Sequence, residues 1–196
     1  MTEPARPPRR RSRPRRVGDP AGTVEVFGSN EQSTVDLDLD RLVTLARYTL
    51  DQEGVRGDVE VSMLLVDEAT IAELNRQHME EEGPTDVLAF PIDDEYMPLG
   101  RQPDGGPPAP ENREPTTSAG PLLLGDIVIC PAVADRNAAA NAGSRPGHLG
   151  RTSDELDLLV VHGLLHLLGH DHSSPAEAAA MREREEALLA SFGDQA

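Results

Sequence analysis

The stretch from Thr152 to Gly169, TSDELDLLVVHGLLHLLG, sets the strongest condition on how this chain can fold. Thr152 and Glu155 match a T-x-x-E capping box, and Gly169 stands where a helix C-terminal cap belongs. An apolar helix is therefore predicted from Thr152 to Leu168, and the rest of the chain must bury its Leu and Val side chains. Two histidines interrupt it. His162 and His166 sit among Leu164, Leu165, Leu167 and Leu168, and burying both imidazoles without partners would strand polar nitrogens.

Their spacing resolves the conflict. Residues four apart leave the same face of a helix, so both imidazoles can share one ion. Past Gly169 the chain runs His170-Asp171-His172, and a reversal there can bring in His172. Four of the six histidines fall within the eleven residues HGLLHLLGHDH. Three neutral imidazoles around a divalent ion leave the fourth tetrahedral position to water. That is the arrangement of a catalytic zinc, whereas structural zinc is closed by four protein ligands. His162, His166 and His172 are thus the expected ligands of one Zn2+ per chain, at the end of a helix in the C-terminal half. His170 is expected to point away. A zinc protease would carry H-E-x-x-H with the Glu as general base, but position 163 is Gly. Asp171 and Asp126 are the nearest candidate carboxylates to orient a ligand or take a proton, beside their plainer readings as a helix cap and a turn residue. Zinc-bound water reaches a pKa near ~7 without such a base.

Composition bounds the rest. The chain has 196 residues with 35 Asp+Glu against 18 Lys+Arg, a net charge of −17. That length suits one compact domain with tails. Aromatics are 3% with no Trp, so a base-stacking aromatic platform is not expected. No apolar run approaches the ~20 residues that span a bilayer. The single Cys130 makes no internal disulfide, which fits a reducing cytoplasm. The N-terminus has no apolar run after its charges, so it is not a secretory signal.

The charge is unevenly placed. Residues 1–16 carry seven Arg and Glu3, whereas the other 180 hold 34 acids and 11 Arg, or −23. All basic residues are Arg. The Arg/Pro-rich tail, 1–20, is expected to be disordered. It reads either as an arm making salt-sensitive contacts to phosphate backbones or as a dispensable extension. The acidic body argues against broad capture of nucleic acid, so any RNA must meet a local patch, the arm or a partner protein.

Elsewhere the pattern alternates between strand and helix periods. Strands are predicted at 23–27, at 59–65, at 86–90 and at 125–130. Helices are predicted over about 38–52, from Asp67 to about Gln77, from Pro131, and from the Ser174-Pro175-x-Glu177 cap onward with Met181, Leu188 and Phe192 on one side. Residues 93–120 hold six Pro and four Gly in 28 positions, a composition expected of a mobile surface loop joining two strands. The fold class is α+β: a small four-stranded mixed sheet with about five helices, in a single catalytic metal-binding domain over 21–192.

The segment HGLLHLLGHDH resembles H-G-x-L-H-L-x-G-x-D-H, the signature of the bacterial YbeY family. Pro84–Pro91 (PTDVLAFP) is similar to that family's P-T-D-V-L-S-F-P, and Leu124–Ile129 (LGDIVI) matches a third segment in the same order. The resemblance covers roughly 23–192. It implies a metal-dependent, single-strand-specific endoribonuclease of ribosomal RNA maturation, with His162, His166 and His172 as zinc ligands. It also places Thr85 and Asp86 in the strand region lining the cleft. Two positions depart from the pattern: Met79 stands where many members have an Arg considered important for activity, and Ala89 replaces the Ser. Arg76 or Arg136 would then have to supply a phosphate contact.

The expected chemistry is zinc polarising a phosphodiester oxygen and activating water, on RNA that enters single-stranded because a narrow site at a helix end excludes a duplex. The substrate would be precursor ribosomal RNA, at the 3′ end of 16S rRNA. Implied partners are the small-subunit particle, with a ribosomal protein and an Era-type GTPase as contacts; no membrane is involved. The competing reading is a ribosome-assembly factor with a mainly structural zinc and little nuclease activity. A metallopeptidase is the third, opposed by Gly163.

Overall fold

A computed structural model of the chain describes residues 22–92 and 121–194. The expected disordered tail and the 93–120 insertion lie outside the described residues. The described chain forms four strands and five helices, the α+β class expected: β1 (Val24–Asn30), α1 (Leu39–Gln52), β2 (Val59–Leu65), α2 (Glu68–His78), β3 (Val87–Pro91), β4 (Leu122–Ile129), α3 (Pro131–Ala138), α4 (Thr152–Leu167) and α5 (Pro175–Gly193). The sheet order is β1-β2-β4-β3. β1, β2 and β4 run parallel, and β3 closes one edge antiparallel to β4.

Strand alternation divides the side chains between two faces. Val61, Met63 and Leu65 of β2 and Ile127 and Ile129 of β4 join the main core with Leu45, Leu164 and Leu188 of the helices. The opposite face carries a smaller cluster in which Leu88, Val128 and Cys130 meet Ile71 of α2 and Val133 of α3. α4 is apolar on nearly every side because it touches α1, α3, α5, β3 and β4.

Where sheet and α4 come closest, glycine makes the approach possible. Leu124 is an extra residue in β4, since Glu60 pairs with Leu123 and Val61 with Gly125. Gly125 adopts φ +147°, and a Cβ there would lie 2.3 Å from the Phe90 carbonyl oxygen and 2.9 Å from Leu167 Cδ2. On the helix side, a Cβ at Gly163 would sit 3.0 Å from Ile127 Cγ2. Two small residues thus seat the histidine helix against the β3–β4 edge.

Three boundary expectations need correction. β4 begins at Leu122, three residues before Gly125, because Leu122 and Leu123 already pair with Val59 and Glu60. β1 continues past Phe27 to Asn30 by pairing with Met63–Leu65. The T-x-x-E capping box does not form. Instead Asp154 accepts the Leu149 N–H at 2.8 Å and the Arg151 N–H at 3.2 Å. Glu155 turns inward, 2% exposed, where it meets Asn141 Nδ2 at 2.8 Å and His148 Nε2 at 2.9 Å. The Ser174–Glu177 box of α5 forms as expected.

Candidate metal centre

α4 presents His162 and His166 one turn apart, and its ending brings in the third histidine. Gly169, at φ +83°, donates to the His166 carbonyl at 2.9 Å, and the His170 N–H donates to the Leu165 carbonyl at 2.9 Å. This pair of bonds is a Schellman reversal. Asp171 then accepts the His172 N–H at 2.7 Å and the Ser173 hydroxyl at 2.6 Å, which tightens the turn. The His172 ring stacks on that of His162 at 5.7 Å between centroids and stands edge-on to His166 at 5.0 Å. One ligand nitrogen from each of the three lies within 4.8 Å of the others, so the group can hold a metal ion.

The tautomers follow from the partners. His162 Nδ1 lies 2.7 Å from a carboxylate oxygen of Glu185, and His166 Nδ1 lies 3.1 Å from the His170 carbonyl oxygen. Neither acceptor can donate, so each Nδ1 carries a proton, and in the neutral ring that a metal requires each Nε2 keeps a lone pair. The two Nε2 atoms face each other at 3.1 Å. Two lone pairs at that distance repel unless a cation sits between them. Ligands about 2.0–2.1 Å from a tetrahedral zinc lie about 3.3 Å apart, close to the separation observed. The donor set fits the ion.

Electrostatics points the same way. Burial, reinforced by His162 and His172, lowers the pKa of His166 to about 4, so it is neutral and ready to ligate at neutral pH. Glu185 is 1% exposed. Burial alone would raise its pKa, but hydrogen bonds from His162 and Arg145 hold it below the ordinary range. Arg145 binds it through Nε at 3.1 Å and a terminal nitrogen at 2.6 Å.

The other sequence-singled residues fall as follows. His170 turns to Glu53, 3.6 Å away, and stays out of the cluster as expected. Asp126 cannot orient a ligand: Ile127 beside it faces α4, so alternation turns Asp126 to the face of Val128. Asp86 accepts the Val87 N–H at 2.9 Å and meets Thr85 Oγ1 and Asn137 Nδ2, each at 3.4 Å. It braces the start of β3, whose Val87 touches α4 at Gly163. Cys130 is buried in the smaller cluster, and burial pushes its thiol pKa up. Met79 is exposed at the end of α2. Arg76 pairs with Glu73 and Arg136 with Glu68, each at 2.5 Å.

Sequence reasoning missed Glu185 and Arg145. Glu185 had a signal: it falls on the same stripe of α5 as Met181 and Leu188, an acid where an apolar residue belongs.

Comparison with known proteins agrees with this geometry. A family model described as Endoribonuclease YbeY matches residues 28–193. Curated relatives called Endoribonuclease YbeY are 45% identical in Salinispora tropica over 161 residues, 82% of this chain and 92% of that protein. In Parafrankia sp. the figures are 42% over 169 residues, 86% and 94%, and in Acidothermus cellulolyticus 48% over 161, 82% and 84%. The match runs from the last residues of β1 through α5 and includes all three histidines of the cluster, so this chain belongs to the YbeY endoribonuclease family.

Proposed function

We propose that this chain is a zinc-dependent, single-strand-specific endoribonuclease of ribosomal RNA maturation, acting at the 3′ end of 16S rRNA and in ribosome quality control. The observation that carries the reading is the convergence of three imidazoles, with the Nε2 atoms of His162 and His166 3.1 Å apart. His162, His166 and His172 would hold the ion. Zinc there supplies Lewis acidity toward a phosphodiester oxygen and toward water.

The protein's own groups do the positioning. The Glu185 carboxylate and the His170 carbonyl keep the protons of His162 and His166 on Nδ1. Asp171, a candidate catalytic carboxylate, is engaged in its own turn; its part in the proposal is to set the backbone of His172. Arg76 and Arg136 are the candidate phosphate contacts. Their present acidic partners are solvent-exposed, so each pair is weak enough to be exchanged for a phosphate.

Two further observations favour this over its competitors. Among the described residues, three side chains form the metal group, whereas a structural zinc takes four protein ligands. That weighs against the assembly factor with a structural zinc. A Glu at position 163, as a zinc peptidase requires, would press into Ile127 and Val87. Precursor ribosomal RNA, the small-subunit particle, a ribosomal protein and an Era-type GTPase in the cytoplasm are the partners this reading brings. Among the described residues no helix is long and apolar enough to cross a membrane.

The test is cleavage of single-stranded RNA spanning the 16S 3′ end by wild type and His166→Ala, with zinc content measured on the same samples. The reading expects zinc and cleavage in wild type and neither in the variant. Equal cleavage by both refutes it, and a zinc-loaded wild type that leaves the RNA intact hands the lead to the assembly factor.

A further inference from the structure

We propose that Arg145 and Glu185 are positioning residues of the metal centre, a part-buried ion pair that fixes the direction of His162; the inference rests on the metal reading above. Three distant segments meet here: the α3–α4 loop supplies Arg145, α5 supplies Glu185 and α4 supplies His162. Packing alone would put an apolar residue at position 185, between Met181 and Leu188, and a buried carboxylate is costly unless paired. This one is fully engaged, with Oε1 on His162 Nδ1 and Oε2 on two nitrogens of Arg145.

The two helical histidines differ in what holds them. His166 leans on a backbone carbonyl locked in the helix-ending reversal. His162 depends on the side chain of Glu185, and that side chain is steered by Arg145. The loop is braced on both sides of Arg145. Asn141 and His148 bind the buried Glu155, the Gly143 N–H donates to the His148 carbonyl at 2.8 Å, and Arg182 donates to the Ser144 carbonyl at 3.2 Å.

Glu185→Gln tests the direction of the bond. If the Gln oxygen faces His162, its NH2 opposes the guanidinium of Arg145. If the NH2 faces His162, Nδ1 must accept, and the proton moves to Nε2, which then has no lone pair for a metal. Both outcomes cost ligation.

The experiment measures Zn2+ affinity of the full chain by competition with a chromophoric chelator, for wild type, Glu185→Gln, Arg145→Ala and Arg145→Lys, with thermal melting of each zinc-free protein. Glu185→Gln is expected to bind Zn2+ about 10–100-fold more weakly, Arg145→Ala to lose affinity in the same direction, and Arg145→Lys to recover part of it. Unchanged affinity in the folded variants, with only the melting temperature lowered, overturns the proposal and leaves the pair a packing element. If Glu185→Gln does not fold, the two Arg145 variants decide the matter by the same criterion. A wild type that binds no Zn2+ overturns the metal reading itself, which separates the two failures.

Discussion

Replacing Gly163 by Ala sets two opposed magnitudes against each other. In a free helix the change stabilises by about 0.8–1.0 kcal/mol. Here the new Cβ would meet Ile127 Cγ2 at 3.0 Å and Val87 Cγ2 at 3.4 Å, against about 3.5–4.0 Å for relaxed carbon contacts. Both neighbours are β-branched and stiff at χ1, so relief must come from moving α4 off the sheet. Overpacking of this kind costs about 1–3 kcal/mol. The expected net effect is a loss of about 1 kcal/mol, or about 2–4 °C in melting temperature for a chain of this size. His162 is the preceding residue, so zinc affinity should fall as well. Urea unfolding of the zinc-free protein and a Zn2+ titration check both halves. A gain of about 1 kcal/mol in Gly163→Ala would refute the reasoning, because it would mean that Ile127 yields freely.

Three other expectations follow from the same contacts. Glu155→Ala strands the buried His148, 6% exposed, and the part-buried Asn141, and should cost about 2–3 kcal/mol in urea unfolding, most of it at the buried donor; a loss below about 1 kcal/mol would mean that water replaces the carboxylate. The folded pKa of His166, about 4, lies below its unfolded value of about 6.5, so the zinc-free fold binds fewer protons than the unfolded chain in that window. Its contribution is therefore complete above about pH 6.5 and is lost as pH falls toward about 4, at up to roughly 1.4 kcal/mol per pH unit. Stability curves of wild type and His166→Gln that run parallel from pH 7 to pH 4 would contradict this. Saturating the site with zinc at about 100 times its dissociation constant should raise stability by about 2.7 kcal/mol, and calorimetry with and without the ion measures that directly.

Much of the centre was legible because local chemistry and tertiary demand agree there. Gly169 is a helix-ending glycine by sequence, and the fold uses it to swing His172 back toward His162. The helices of α1, α2 and α5 carry their own caps in Asp38, Asp67 and Ser174, so their starts could be read. The misread cap of α4 has a different origin. T-x-x-E and R-x-x-D are offset by one residue, and only the partners Asn141 and His148 reveal that Glu155 is needed inside.

Glu185 and Arg145 are 40 residues apart, and no periodicity links a loop arginine to a helical acid. Asp126 shows the reverse case. Its neighbour Ile127 already fixed which face it would take, because both lie inside β4 and alternation turns them to opposite faces. The extension of β1 through Ser29 and Asn30 comes from pairing with β2, a partner that the short polar segment does not announce.

The most direct test of the central claim is a zinc add-back titration. Zinc-free full-length protein would be mixed with increasing Zn2+, and cleavage of the single-stranded RNA followed at each step alongside His172→Ala. Cleavage should rise in proportion to added Zn2+ and level off at about one equivalent, the stoichiometry of one three-histidine site, with His172→Ala flat throughout. Full cleavage by the zinc-free protein, or a rise that His172→Ala shares, would contradict the account.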